Sequence, residues 1–187
     1  KATSELFLKK YHLKDSYPIP IEEIVEFKLG LDIIPIPNLH RAFDIDGFLS
    51  SDCVNISIDE SVYQSRPGRY RFTLAHEVGH FILHKELYER HIFGKIEEWK
   101  RFIEHFPKKE YSWFEWQAYE FAGLILVPPH HLNKRLKYHI KQVKSLGIKN
   151  EAVVMDRVVE LLAKDFIVSR EVILIRISYY QIFPYIL

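Results

Sequence analysis

Arg71–His84 reads RFTLAHEVGHFILH, long enough for about four helical turns and apolar on nearly every side. Phe72, Leu74, Ala75, Val78, Phe81 and Ile82 leave it no wide polar face, so the chain must fold around this helix. The exceptions, Thr73, His76, Glu77, His80 and His84, fall along one stripe. Burying ionisable groups without partners costs several kcal/mol. This stripe therefore needs partners, and a shared metal ion is the most economical one. Gly79 costs a helix about 1 kcal/mol against alanine, which implies close approach by a second element.

H-E-x-x-H puts His76 and His80 one turn apart on the same face, where both imidazoles can reach one zinc ion. Glu77 stands beside them to take a proton from water that the metal acidifies from a pKa of about 15.7 toward roughly 7. The same ion polarises a peptide carbonyl, so the parts add up to metal-assisted amide hydrolysis. Two His and a carboxylate suit zinc, with manganese and iron as the alternatives. His84 is the tempting third ligand, and geometry rejects it. Eight residues of helix separate it from His76 by about 12 Å, too far for two short side chains that each approach one ion to about 2 Å. His84 reads instead as a helix-end residue or an outer hydrogen-bonding partner.

The third ligand is expected from FEWQAYEFAGLILVP (Phe114–Pro128). Glu115, Ala118 and Ala122 share one helical face, and two small residues beside a carboxylate let that helix pack closely enough to bring Glu115 to the metal. Glu120 points about 140° away. Glu115 is accordingly favoured over Glu120, Glu110 and Glu104. Tyr119, His84, His91 and Tyr111 are unranked candidates for stabilising the transition state.

Elsewhere, helices are expected at Ser4–Tyr11, Lys95–His105, Trp113–Val127, Glu151–Lys164 and Ser169–Tyr180, the third ended by Pro128 and Pro129. PIPIEEIVEFKLG adds one that starts at a proline and stops at Gly30. LDIIPIP reads as a strand that its prolines confine to an edge or cut short. GFLS and CVNISID read as further strands, and the latter is a candidate exposed edge for binding an extended peptide. The order is α+β, with a small, mostly antiparallel sheet.

Net charge is +1, which gives no argument for nucleic acid or an acidic membrane. The single Cys53 excludes a disulfide framework and fits a reducing, cytoplasmic setting. The longest apolar run, Phe121–Val127, is far too short to span a bilayer. The chain opens on Lys1 rather than Met, so residues can precede it, and nothing in it sets an oligomeric state. Residues His131–Asn150 carry basic side chains and no acidic ones, and the two helices that follow could form a helix-turn-helix. VILIRI (Val172–Ile177) is nearly all apolar, however, and a recognition helix needs polar side chains to read bases. DNA binding with a structural or sensory metal site is thus the lesser reading, as is an inactive protein-binding module, for which Glu77 would be redundant.

RPGRYRFTLAHEVGHFILH resembles the metal-binding segment of the ImmA/IrrE family of zinc metallo-endopeptidases, and EWQAYEFAGLILVP resembles that family's E-x-x-A-N-x-F-A-x-x-L-L-x-P segment. Position by position, the resemblance makes Glu115 the family's glutamate ligand. Tyr119 stands where the family usually has Asn. PIPIEEIVEFKLGLDIIP and LLAKDFIVSREVILIRI resemble its first helix and strand and its C-terminal helical pair, with Ile167 where Gly is expected. Lys85–Tyr111 carries no recognisable family segment and reads as a longer connection between the metal helices. The resemblance implies a small zincin-like peptidase domain over 1–135 and a helical extension over 136–187. It also implies a substrate of the helix-turn-helix repressor class.

Overall fold

The computed structural model describes residues 1–14, 16–90 and 96–179, with residues 89 and 96 as backbone. His91, Lys95 and Tyr180, named above, lie outside the described residues. The chain forms two compact units, one of Ile21–Ala122 and one of Lys1–Pro20 together with the chain from Gly123 on.

The Ile21–Ala122 unit holds the sheet. Helix α1 (Ala2–Tyr11) precedes it, and α2 (Ile21–Glu23) runs on as a π-helical turn, Ile24–Leu29. Gly30 ends that turn at φ 69°, a left-handed conformation that glycine adopts without steric cost. Strands β1 (Asp32–Ile36), β2 (Gly47–Leu49) and β3 (Asn55–Asp59) follow, with the short helix α3 (Leu39–Phe43) between the first two. The α+β class holds, and the small sheet is mixed: β3 runs parallel to β1 and antiparallel to β2. β1, with Pro35 in it, is an edge strand as expected.

CVNISID, by contrast, is not an exposed edge. β3 is the central strand, paired on both sides, and Ile56 and Ile58 are fully buried with Ser57 nearly so. A strand with neighbours on both sides has no free backbone to offer a peptide. Asp59 closes it by capping α4 (Glu60–Ser65), accepting hydrogen bonds from the backbone N–H groups of Ser61 and Val62 and, at 2.9 Å, of His40.

The metal helix of the sequence is α5 (Pro67–Leu83), with Pro67 in its first turn, where a missing N–H costs nothing. It packs on β2 and β3 and buries Thr73–His80. A Cβ on Gly47 would lie 2.7 Å from Thr73 Cγ2 and 2.8 Å from the Ser57 carbonyl, so only glycine lets β2 lie this close to α5. Helices α6 (Lys85–Arg90), α7 (Ile96–His105) and α8 (Lys108–Leu126) follow.

In the other unit, α9 (Pro129–Ser145), α10 (Glu151–Phe166) and α11 (Arg170–Tyr179) pack in succession. Asn150 caps α10 through Ala152 N–H and Val153 N–H. Among the described residues no helix is long and apolar enough to cross a membrane.

Candidate metal centre

On α5 the helical period stacks His76 and His80 one turn apart, with their Nε2 atoms 3.0 Å from each other. α8 supplies the third group. Glu115 Oε2 lies 3.3 Å from His76 Nε2, and Glu115 Oε1 lies 3.5 Å from His80 Nε2. One ligand atom from each of the three residues falls within 4.8 Å of the others, an arrangement that could hold a metal ion. Two ligands that each stand 2.0–2.1 Å from a tetrahedral zinc are about 3.3 Å apart, so the observed spacings fit that ion. The donor set, two borderline imidazoles and one hard carboxylate, fits it as well.

Glu77 is buried beside this cluster and accepts a hydrogen bond from Leu49 N–H at 2.9 Å, which ties α5 to the end of β2. Burial pushes its carboxyl up to about 7; the charge of Glu115 adds to this, while His76 and the Leu49 N–H oppose it. Burial alone would lower His76, but its hydrogen bond to Glu115 and the charges of Glu77 and Glu115 outweigh burial and raise it. His80 is held well below its ordinary value by burial and by its histidine neighbours, and burial also lowers His84. A neutral imidazole is the form that ligates metal.

These groups face a cavity of about 500 Å³. His84 is not on it. Its ring contacts His80 through Nδ1 at 3.1 Å and Gln117 through Nε2 at 3.0 Å, so both nitrogens are occupied. Of the other candidate donors, Tyr111 and Tyr119 do line the cavity. Tyr111 O–H donates to Glu115, and burial followed by the Glu115 charge raises its pKa. The Tyr119 ring stacks on Phe72 and lies 4.4 Å from the ring of His76. Glu120, Glu110 and Glu104 take no part in the cluster.

Several cavity residues escaped the sequence reading. Arg69, bound to Asp46, lies seven residues before His76 on the same stripe of α5, so helical periodicity could have found it. Tyr88 is buried on the cavity wall, in a segment with no recognisable pattern. Gln117, which is not on the cavity but holds His84 Nε2, carried no signal, because that contact joins two helices.

Residues 61–178 match the model of a peptidase family described as the IrrE N-terminal-like domain. No curated protein matches the chain.

Proposed function

The chain belongs to the IrrE N-terminal-like peptidase family, and from that premise we propose that it is a zinc-dependent endopeptidase acting through His76, His80, Glu115 and Glu77. One observation carries this reading. Two imidazoles and a carboxylate converge on one point, and a second, buried carboxylate stands beside them in the same cavity. When bound, zinc supplies Lewis-acid activation of a water molecule and of a peptide carbonyl. Three protein ligands leave a fourth position open, as catalysis requires. Glu77 takes a proton from the attacking water and returns it to the leaving amine. Leu49 N–H engages one oxygen of Glu77 and leaves the other for that transfer.

An extended substrate is bound along β2. The ladder bonds between Asp46 and Asp59 and between Ser50 and Asn55 turn the even-numbered residues of β2 toward β3. The backbone groups of Gly47 and the carbonyl of Leu49 therefore face the opposite way, Leu49 N–H being taken by Glu77, and Gly47 lines the cavity. Strand addition at this edge delivers a peptide bond to the metal. The substrate is a cytoplasmic helix-turn-helix repressor, whose cleavage relieves repression. Leu174 and Ile175 stand exposed on α11 beside its polar residues, and this apolar pair supports a protein partner over DNA.

The test combines metal analysis with cleavage. Wild type is expected to carry one zinc, lost in His80→Ala and in Glu115→Ala, and to cut a purified helix-turn-helix repressor encoded beside it into fragments visible by mass spectrometry. Zinc retained in both variants would overturn the metal site. A repressor left intact by the zinc-loaded wild type would overturn the substrate.

A further inference from the structure

The two histidines of the metal cluster are held by different means. His76 Nδ1 is buried with no hydrogen-bond partner among the described residues, and its ring rests against Tyr119. His80, in contrast, heads a chain of hydrogen bonds. Its Nδ1 lies 3.1 Å from His84 Nδ1, and His84 Nε2 lies 3.0 Å from the amide oxygen of Gln117 on α8. Phe114 covers the chain, with ring centroids 3.9 Å from His84 and 4.5 Å from His80.

The chemistry of the last member sets all the others. An amide oxygen only accepts, so His84 Nε2 must carry a proton. A neutral imidazole has one donor and one acceptor nitrogen, which makes His84 Nδ1 the acceptor. The facing His80 Nδ1 must then donate. With its proton on Nδ1, His80 has a bare Nε2, and that is the atom aimed at His76 and Glu115. Were the Gln117 amide turned to present its NH2 group, every role would invert and His80 Nε2 would carry a proton in the metal's place.

We propose that Gln117 and His84 are positioning residues that hold His80 in its Nδ1–H tautomer, so that its Nε2 lone pair is presented to the metal before the metal arrives. This rests on the metal-site reading above. Neither residue touches the reacting atoms; both act through His80, in the way that outer hydrogen bonds orient metal-ligating imidazoles. Because His76 has no such chain, losing it should affect His80 alone.

Two measurements on the full chain test the relay. The first is the histidine tautomers by long-range proton–nitrogen NMR of the zinc-free protein. His84 should carry its proton on Nε2 and His80 on Nδ1, and Gln117→Leu should mix the His80 tautomers while leaving His76 unchanged. The second is zinc affinity by chelator competition, where Gln117→Leu should weaken binding about tenfold. Gln117→Glu, whose carboxylate also only accepts, should restore both readouts and serves as the control for folding. Adding Gln117→Leu to His84→Leu should weaken binding no further than His84→Leu alone. A wild-type His80 protonated on Nε2 overturns the relay, as does a Gln117→Leu variant with unchanged tautomers and unchanged affinity. Should wild type bind no zinc, the metal-site reading falls, while the tautomer measurement still decides the relay.

Discussion

Gly79 and Ala118 meet backbone to backbone: a Cβ on Gly79 would lie 3.0 Å from Ala118 Cα, 3.1 Å from its carbonyl oxygen and 3.3 Å from its Cβ. Here α8 crosses α5, and Glu115, one turn before Ala118, is carried to within 3.3 Å of His76. The two small residues are not part of the His76–His80–Glu115 cluster, yet they set the distance at which Glu115 stands from the two histidines.

Gly79→Ala should therefore destabilise the protein. On an exposed helix this change gains about 1 kcal/mol. At this crossing the opposing atoms belong to a backbone that cannot rotate aside, and overpacking of this kind costs about 1–3 kcal/mol. Zinc affinity should fall with it as α8 is pushed outward. Urea unfolding and chelator competition check the two effects, and a variant with wild-type stability and affinity would show that the crossing has slack.

Glu77→Gln separates binding from chemistry. The amide oxygen still accepts from Leu49 N–H, so the tie between α5 and β2 persists, and the three ligand residues are untouched. Zinc content should stay at the wild-type level while kcat falls by about 10²–10⁴-fold, the usual worth of a general base. Cleavage at the wild-type rate would remove Glu77 from the mechanism.

The cluster of His76, His80 and Glu115 was largely legible in the sequence because its signals are local. His76, Glu77 and His80 share one helical stripe, and Glu115 lies on the small-residue face of α8. The position of β3 was not legible, since alternation at Ile56 and Ile58 looks the same whether a strand has one neighbour or two. Partners drawn from Asp32–Ile36 and Gly47–Leu49 decide that, and they are remote in sequence. Helix α9 was hidden for another reason. Pro128 and Pro129 read as a stop, although Pro129 occupies the first turn of a new helix. Within α9, His139 fills a buried position between Leu136 and Val143 and breaks the apolar period, because it pairs with Asp165 instead of packing as a hydrocarbon.

Ile167, the residue standing where glycine was expected, ends α10 at φ 50° and ψ 59°. The left-handed region costs a residue with a Cβ about 1–2 kcal/mol, and β-branching worsens the crowding. At 37% exposure most of the side chain is still covered, and removing it gives up that burial. Ile167→Gly should leave stability within about 1 kcal/mol of wild type, because the relief of strain is offset by the larger unfolded-state entropy of glycine and by the lost burial. Thermal unfolding checks this, and a Tm lowered by more than that margin would mean that the Ile167 contacts outweigh the strain.

Asp165 should make stability depend on pH. It accepts from Arg135 Nε at 2.7 Å and Nη2 at 3.1 Å, and it pairs with His139 Nε2 at 2.6 Å, joining α9 to α10. Burial alone would raise its carboxyl, but the hydrogen bonds from Arg135 and His139 outweigh burial and hold it below the ordinary 3.8. A carboxylate whose pKa is lower in the folded chain stabilises the fold at every pH above its unfolded value. That contribution is lost as pH falls below 3.8 and through the folded value. Asp165→Asn should cost about 1–2 kcal/mol at neutral pH, after allowing for the partial exposure of the pair. The difference from wild type should shrink once the pH drops below the ordinary carboxylate range, because the wild-type carboxyl then becomes neutral too. Urea midpoints of the two proteins, taken from neutral pH down to about pH 3, measure this difference. If it stays constant over the whole range, the charge on Asp165 is not what joins the two helices.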